Sequence, residues 1–216
     1  MKFVDGWFFP DGESHLPEWM ANPKVRMILN GRASYQGAKQ QAAMGLCKQF
    51  RTAVDVGGHV ALHSFNLAHR FAHVIAFEPV AAHRDCFACN TEGLTNITLH
   101  ACALGDHEGG VSIRTEPTSS GDSRVDGDGD IPLKTLDSFD ILECDYLKLD
   151  CEGSELFVLR GAEETLKRCK PVVMVEQKPG HAQRYGLGEK DAVPFLESLG
   201  YKVAREMSGD FICVPA

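Results

Sequence analysis

Apolar positions along the chain follow two alternating rhythms. Short β-branched or apolar runs occur at Thr52-Ala53-Val54-Asp55-Val56, Val74-Ile75-Ala76-Phe77, Ile97 to Cys102, Tyr146-Leu147-Lys148-Leu149 and Val172-Val173-Met174-Val175. Such near-continuous apolar runs suit strands buried on both faces. Between them lie stretches built mostly of helix formers, which predict helices from a Ser34 cap through Met44 and over about 61–71, 82–92, 154–168 and 189–199. Strands alternating with helices of about ten residues imply right-handed crossovers and a mostly parallel sheet. Two last runs, Tyr201 to Arg205 and Phe211 to Val214, flank Met207-Ser208-Gly209-Asp210 and predict a closing antiparallel hairpin. The fold class is α/β.

Two segments break the rhythm. Residues 1–33 are rich in Trp, Phe, Pro and Gly without a sustained period, and are expected to form an irregular arm on a single domain spanning 34–216. Residues 116–130 are rich in Gly, Ser and Asp and are expected to form a long loop that closes over a site. The run Asp126-Gly127-Asp128-Gly129-Asp130 resembles a calcium loop, but Leu133 stands where such a loop places its glutamate.

Composition narrows the class. The 216 residues, 44% hydrophobic and 24% charged, fit one globular domain. Lys and Arg total 22 against 30 acids, a net charge of −8, the wrong sign for a surface that neutralises a phosphate backbone. No nucleic-acid partner is expected. No apolar run approaches the ~20 residues a bilayer requires, and the opening residues lack a secretory pattern. The expectation is a cytoplasmic protein with no membrane partner, eight reduced cysteines and a monomeric or homodimeric state. Cys86-Phe87-Ala88-Cys89, with His83 one turn upstream, lacks a fourth ligand at zinc spacing and reads as packing. His59 and His63, four residues apart, could share a helical face, but a lone histidine pair reads as ordinary packing.

Candidate chemistry gathers at the ends of the strands. Asp55-Val56-Gly57-Gly58-His59-Val60-Ala61 follows one strand and precedes a helix, where glycine lets backbone approach a ligand closely. Glu78 ends the next strand, at the distance suited to an acid that binds ribose hydroxyls. Together they favour an adenosine-containing ligand. Asp55 would match a cationic amino group and repel a pyrophosphate, which favours S-adenosylmethionine over a nicotinamide dinucleotide. Asp150 ends a later strand, followed by Cys151-Glu152-Gly153-Ser154-Glu155.

These motifs, with Phe77-Glu78-Pro79, Ala103-Leu104-Gly105-Asp106, Thr135-Leu136-Asp137, Val158-Leu159-Arg160-Gly161-Ala162 and the strand ending at Glu176, occur in the order found in FkbM-type methyltransferases, which the chain resembles over about residues 52–178. The resemblance implies the Rossmann-like class I methyltransferase fold, with a seven-stranded, mostly parallel sheet ending in an antiparallel hairpin. It also implies S-adenosylmethionine as donor and O-methylation of a small-molecule or carbohydrate hydroxyl. It would place Asp55, Gly57, Gly58 and His59 at the donor's methionine end and Glu78 on its ribose. Cys102, Ala103 and Leu104 would flank adenine, and Asp150 would lie near the donor's amino group and the transferring methyl. The family's loop usually reads D-x-G-A-N-x-G; here His59 replaces Asn and Ala61 the last Gly. Asp150, Glu176 and His181 are the candidate bases for the acceptor's proton. No metal is expected, a divalent ion bridging Asp150 and Glu176 or Glu152 being the minor alternative. Two other readings are an NAD(P)-dependent oxidoreductase and a donor-binding scaffold without activity.

Overall fold

A computed structural model describes residues 1–216. The opening segment carries β1 (Lys2–Val4), β2 (Trp7–Phe9), α1 (His15–Ala21), β3 (Ile28–Leu29) and β4 (Arg32–Ala33). Then come α2 (Gly37–Met44), β5 (Thr52–Val56), α3 (Ser64–Ala68), β6 (His73–Phe77), α4 (Ala81–Asn90) and β7 (Ile97–His100). A middle portion holds β8 (Ala103–Leu104), β9 (Gly109–Arg114), β10 (Arg124–Asp128) and β11 (Ile131–Lys134). The chain ends with β12 (Tyr146–Leu149), α5 (Glu155–Arg160), α6 (Glu163–Cys169), β13 (Val172–Glu176), α7 (Ala192–Ser198), β14 (Tyr201–Met207) and β15 (Asp210–Pro215).

Seven strands form the main sheet in the order β14-β15-β13-β12-β5-β6-β7. All neighbours from β13 to β7 pair in parallel, and β15 runs antiparallel between β13 and β14. The two-residue side-chain period of a strand divides the core between the faces. Val54, Val56, Leu147, Leu149, Val173 and Val175 pack on one face under α5, α6 and α7. Ala53, Tyr146, Val172, Met174 and Ile212 pack on the other. The order reverses at β5, which is where an open parallel sheet leaves a crevice at its carboxyl edge.

Four expectations change. The arm is not irregular: Trp7, Phe9, Leu16, Met20 and Ala33 form a third core with Val60, Leu62, Phe65 and Cys86. Trp7 Nε1 donates to Ala33 O at 2.7 Å, and Asn90 holds β2 through Phe8 N (2.7 Å) and Phe8 O (2.9 Å). The expected loop 116–130 contains a 3-10 turn, Ser120–Asp122, and the strand β10, which pairs with β9 in a second sheet of order β10-β9-β11-β8. Its Asp and Gly residues lie along an exposed edge, where polar strands are ordinary. Ser34 does not cap α2; its hydroxyl accepts from Asn66 Nδ2 at 3.1 Å, and Gln36 enters the helix left-handed at φ 52°. The helix expected over 154–168 is two helices. A Cβ on Gly161 would lie 2.0 Å from Gly105 O, so the chain bends there against the second sheet, and the Asp137 carboxylate caps α6 through Glu164 N (3.0 Å) and Thr165 N (2.8 Å).

Candidate active site

The crevice beyond β5, β6 and β12 opens into a cavity of about 1120 Å³ including its mouth. Gly57, Gly58 and His59 form its floor at the end of β5, Glu78 stands at the end of β6, and Asp150 at the end of β12. Cys102, Ala103 and Leu104 line one side. Leu16 from the opening segment, Tyr35 just before α2, Ser120 from the turn ahead of β10 and Arg124 from β10 itself enclose the other walls. Gly57 is required by close approach: at φ 76° its Cβ would lie 2.1 Å from Asp150 O.

Asp55 is not on this wall. It shares a face of β5 with Ala53, and it is the registered neighbour of Lys148 on β12. Lys148 Nζ stands 3.0 Å from Asp55 Oδ1, and Ser64 Oγ donates to Oδ2 at 2.5 Å. Both charged side chains are buried. Burial works to lower the Lys148 pKa, but Asp55, by charge and hydrogen bond, together with the Asp150 charge overcomes it and holds the ammonium protonated. Lys148 Nζ also donates to Gly57 O at 2.7 Å, which fixes the glycine turn from below. The expected match of Asp55 to a ligand cation is thus replaced by a match to this lysine, and Asp150 supplies the acid that faces the cavity.

Glu78 is held by its surroundings. Oε2 accepts from His59 N at 2.8 Å; Oε1 accepts from Val80 N at 2.8 Å and faces His83 Nδ1 at 3.2 Å. Each carboxylate oxygen has two lone pairs, so Oε2 keeps one for a ligand hydroxyl. The His59 ring turns away from Glu78 to meet Ser120 Oγ at 2.8 Å, and Ser120 donates to the Glu13 carboxylate, which is fully buried. Burial, then the neighbouring His83, pushes the His59 pKa well down, so the ring is neutral. His59 and His63 do not share a helical face: His59 has φ 48°, and the helix begins only at Ser64.

Behind Asp150 stands a second group of acids. Glu152 lines the cavity, whereas Glu176 and His181 lie off its wall. His181 Nδ1 is 3.0 Å from Glu152 Oε2 and 3.7 Å from Glu176 Oε2. Burial acts to raise the Asp150 pKa, but Lys148 and then Lys178 overcome it and keep the carboxylate ionised. Burial and the Asp150 charge raise that of Glu176. The facing carboxylates of Glu152 and Glu176 push His181 up to about 9.

A family model described as Methyltransferase FkbM domain matches residues 55–203. The chain belongs to this family. A curated relative, Methyltransferase 1 of Beauveria bassiana (strain ARSEF 2860), is 23% identical over 186 residues, covering 71% of this chain and 73% of that one. The crystal structure of Methyltransferase FkbM from Methylobacillus flagellatus KT superimposes with a TM-score of 0.51 at 18% identity, over 78% of this chain and 44% of that one. The chain therefore spans less than half of that protein's length. SMU.1697c from Streptococcus mutans, solved in complex with SAH, gives a TM-score of 0.53 at 12% identity over 82% of this chain and 94% of that one. These likenesses show the fold.

In this FkbM-domain protein Ala61, which stands where the family's loop has its last Gly, lies away from the ligand crevice. The residue sits at φ 74°, which is strained for alanine, but its methyl packs on Ala76 and Phe87 inside the core. It does not intrude on the cavity. Lys148 and His63 are cavity-wall residues to which sequence reading gave no role. The signal for Lys148 was present: a lysine inside an apolar strand needs a buried partner. His63 gave none, because a single histidine before a helix is ordinary.

Proposed function

We propose that this chain is an S-adenosylmethionine-dependent methyltransferase acting on a hydroxyl of a small molecule or carbohydrate. The observation that carries the reading is the meeting, in one cavity, of the Gly57-Gly58 backbone, the Glu78 carboxylate and the Asp150 carboxylate at three neighbouring strand ends. Glu78 Oε2 would accept from a ribose hydroxyl, His83 giving up Oε1 to the second one. The apolar strip Cys102 to Leu104 would lie along adenine, and Asp150 would meet the donor's ammonium. The bound SAH of the Streptococcus mutans protein, which shares the fold, supports the choice of ligand.

Methyl transfer from a sulfonium to oxygen is an in-line displacement, and holding nucleophile, carbon and sulfur in line can supply on the order of 7–11 kcal/mol of the barrier. The acceptor's proton must also leave. Of Asp150, Glu176 and His181, only Asp150 lines the cavity, so it is the candidate that reaches a bound hydroxyl. Tyr35 and Arg124 face the remaining space, which suits a polar acceptor. Calorimetric titration with S-adenosylhomocysteine tests the donor site: a Kd near ~1 μM (about −8 kcal/mol) is expected, lost in Glu78→Ala, with no heat from NADH. Absence of S-adenosylhomocysteine binding at about 1 mM, or binding of NADH in its place, overturns the reading. Donor binding without turnover across a panel of hydroxylated acceptors would favour the scaffold role.

A further inference from the structure

We propose that Glu152, Glu176 and His181 form a divalent cation site, of the Mn²⁺ and Zn²⁺ class, that clasps the loop after β12 to the loop after β13. The three side chains each offer one ligand atom, and these atoms lie within 4.8 Å of one another. The two His181 Nδ1 distances, 3.0 and 3.7 Å, bracket the separations of about 3.0–3.4 Å that ligand atoms take around an ion bound at roughly 2.1 Å. Proximity of acids alone would carry little. The deciding observation is that these atoms are buried and unsatisfied.

Glu176 is 2% and Glu152 5% exposed. Glu152 Oε2, both oxygens of Glu176 and His181 Nδ1 are shut away from solvent, and none has a hydrogen bond of acceptable angle. A buried polar atom left this way costs roughly 1–3 kcal/mol; His181 Nδ1 faces Glu152 Oε2 at 3.0 Å but stands 3.7 Å from Glu176 Oε2, so that oxygen most asks for a further partner. Lys178 Nζ, 2.5 Å from Glu176 Oε1, is a charge partner for one oxygen and leaves Oε2 open. Asp150 adds negative charge nearby.

The backbone is shaped to bring the ligands together. Glu152 adopts φ 54°, uncommon for a residue with a side chain. Gly153 packs so closely on the next loop that a Cβ would fall 2.5 Å from His181 C and O. That contact seats Glu152 against His181, and β13 delivers Glu176 from its last position. Two carboxylates with one imidazole suit a borderline ion better than Mg²⁺, since imidazole favours the later first-row metals.

The full chain, freed of metal by chelator, is titrated calorimetrically with MnCl₂, ZnCl₂ and MgCl₂, with bound Mn²⁺ counted by electron paramagnetic resonance. One site per chain is expected, tighter for Zn²⁺ and Mn²⁺ than for Mg²⁺. Saturating Mn²⁺ should raise the Tm by several degrees. Glu176→Gln and His181→Asn should each weaken Mn²⁺ by roughly tenfold or more, while His107→Ala, at an exposed histidine beside Asp106, changes nothing. The wild-type titration needs no variant to fold, and absence of a site at about 1 mM Mn²⁺ overturns the proposal. So does Mn²⁺ binding that survives both substitutions. S-adenosylhomocysteine binding measured on the same metal-free protein reports the donor site separately, so failure of one proposal is distinguishable from failure of the other.

Discussion

At the scale of single residues, the candidate site shows charges that support the fold beside charges that face the ligand. Asp55 and Lys148 meet because they are registered neighbours on one face of two parallel strands; the pair fixes the glycine turn rather than the ligand. His63 is the neutral counterpart, buried with both ring nitrogens unsatisfied. Burial first, and then Lys148, draws its pKa from 6.5 down to about 4, with Asp55 and Asp150 pulling the other way and Lys39 adding to the decrease. Between these values the unfolded chain binds a proton that the folded chain refuses. The His63 contribution is therefore intact above pH 6.5, is lost as pH falls toward 4, and is constant below that. The span is on the order of 3 kcal/mol. Asp210, pushed up to about 6, and Glu155, pushed up to about 7, work in the opposite sense. The comparison must therefore be between wild type and His63→Gln. Urea unfolding from pH 7.5 to 4.5 should show wild type losing stability relative to the variant; parallel curves would sink this assignment.

At the scale of elements, the cavity is enclosed by a chain of contacts from three distant segments. Glu13 in the opening segment holds Ser120 beside the second sheet, and Ser120 meets His59 in the glycine turn. Ser120→Ala removes the hydroxyl that joins them and leaves both Glu13 and the His59 ring short of a partner, a loss of about 1–2 kcal/mol. Amide exchange over residues 116–123 should quicken in that variant relative to α5, and unchanged exchange would show that the segment is held by something else. None of this was readable from sequence, because a glutamate, a serine and a histidine far apart along the chain carry no shared period. The strands were readable, since burial on both faces forces runs such as Val172 to Val175. The tips that line the cavity were readable for the same reason: Gly57, Glu78 and Asp150 each interrupt such a run at its end. What misled was composition. Asp126 to Asp130 looked like a loop because an exposed edge strand needs no apolar residues, and 154–168 looked like one helix because the bend at Gly161 depends on contact with Gly105.

At the scale of the whole molecule, the opening 33 residues decide how the chain behaves as a unit. Their apolar side chains close a core whose other half, Val60, Leu62 and Phe65, belongs to the segment that builds the glycine turn and α3. Arg32 lies over the Phe65 ring at 4.3 Å, and Trp7 meets it edge-on at 5.3 Å. An arm joined in this way cannot leave without exposing Val60, Leu62 and Phe65 beside the glycine turn, and Leu16 is itself on the cavity wall. The chain offers a direct measurement, because its two tryptophans, Trp7 and Trp19, both lie in this segment. Tryptophan fluorescence therefore reports the arm, while far-UV circular dichroism reports chiefly the main sheet and its helices. Unfolding followed by the two probes should give coincident midpoints, as a single cooperative unit requires. Trp7→Ala should lower both together by about 3–5 kcal/mol of stability. A fluorescence transition that precedes the dichroism transition would instead make the arm a separable cover, and the cavity a site that opens by releasing it.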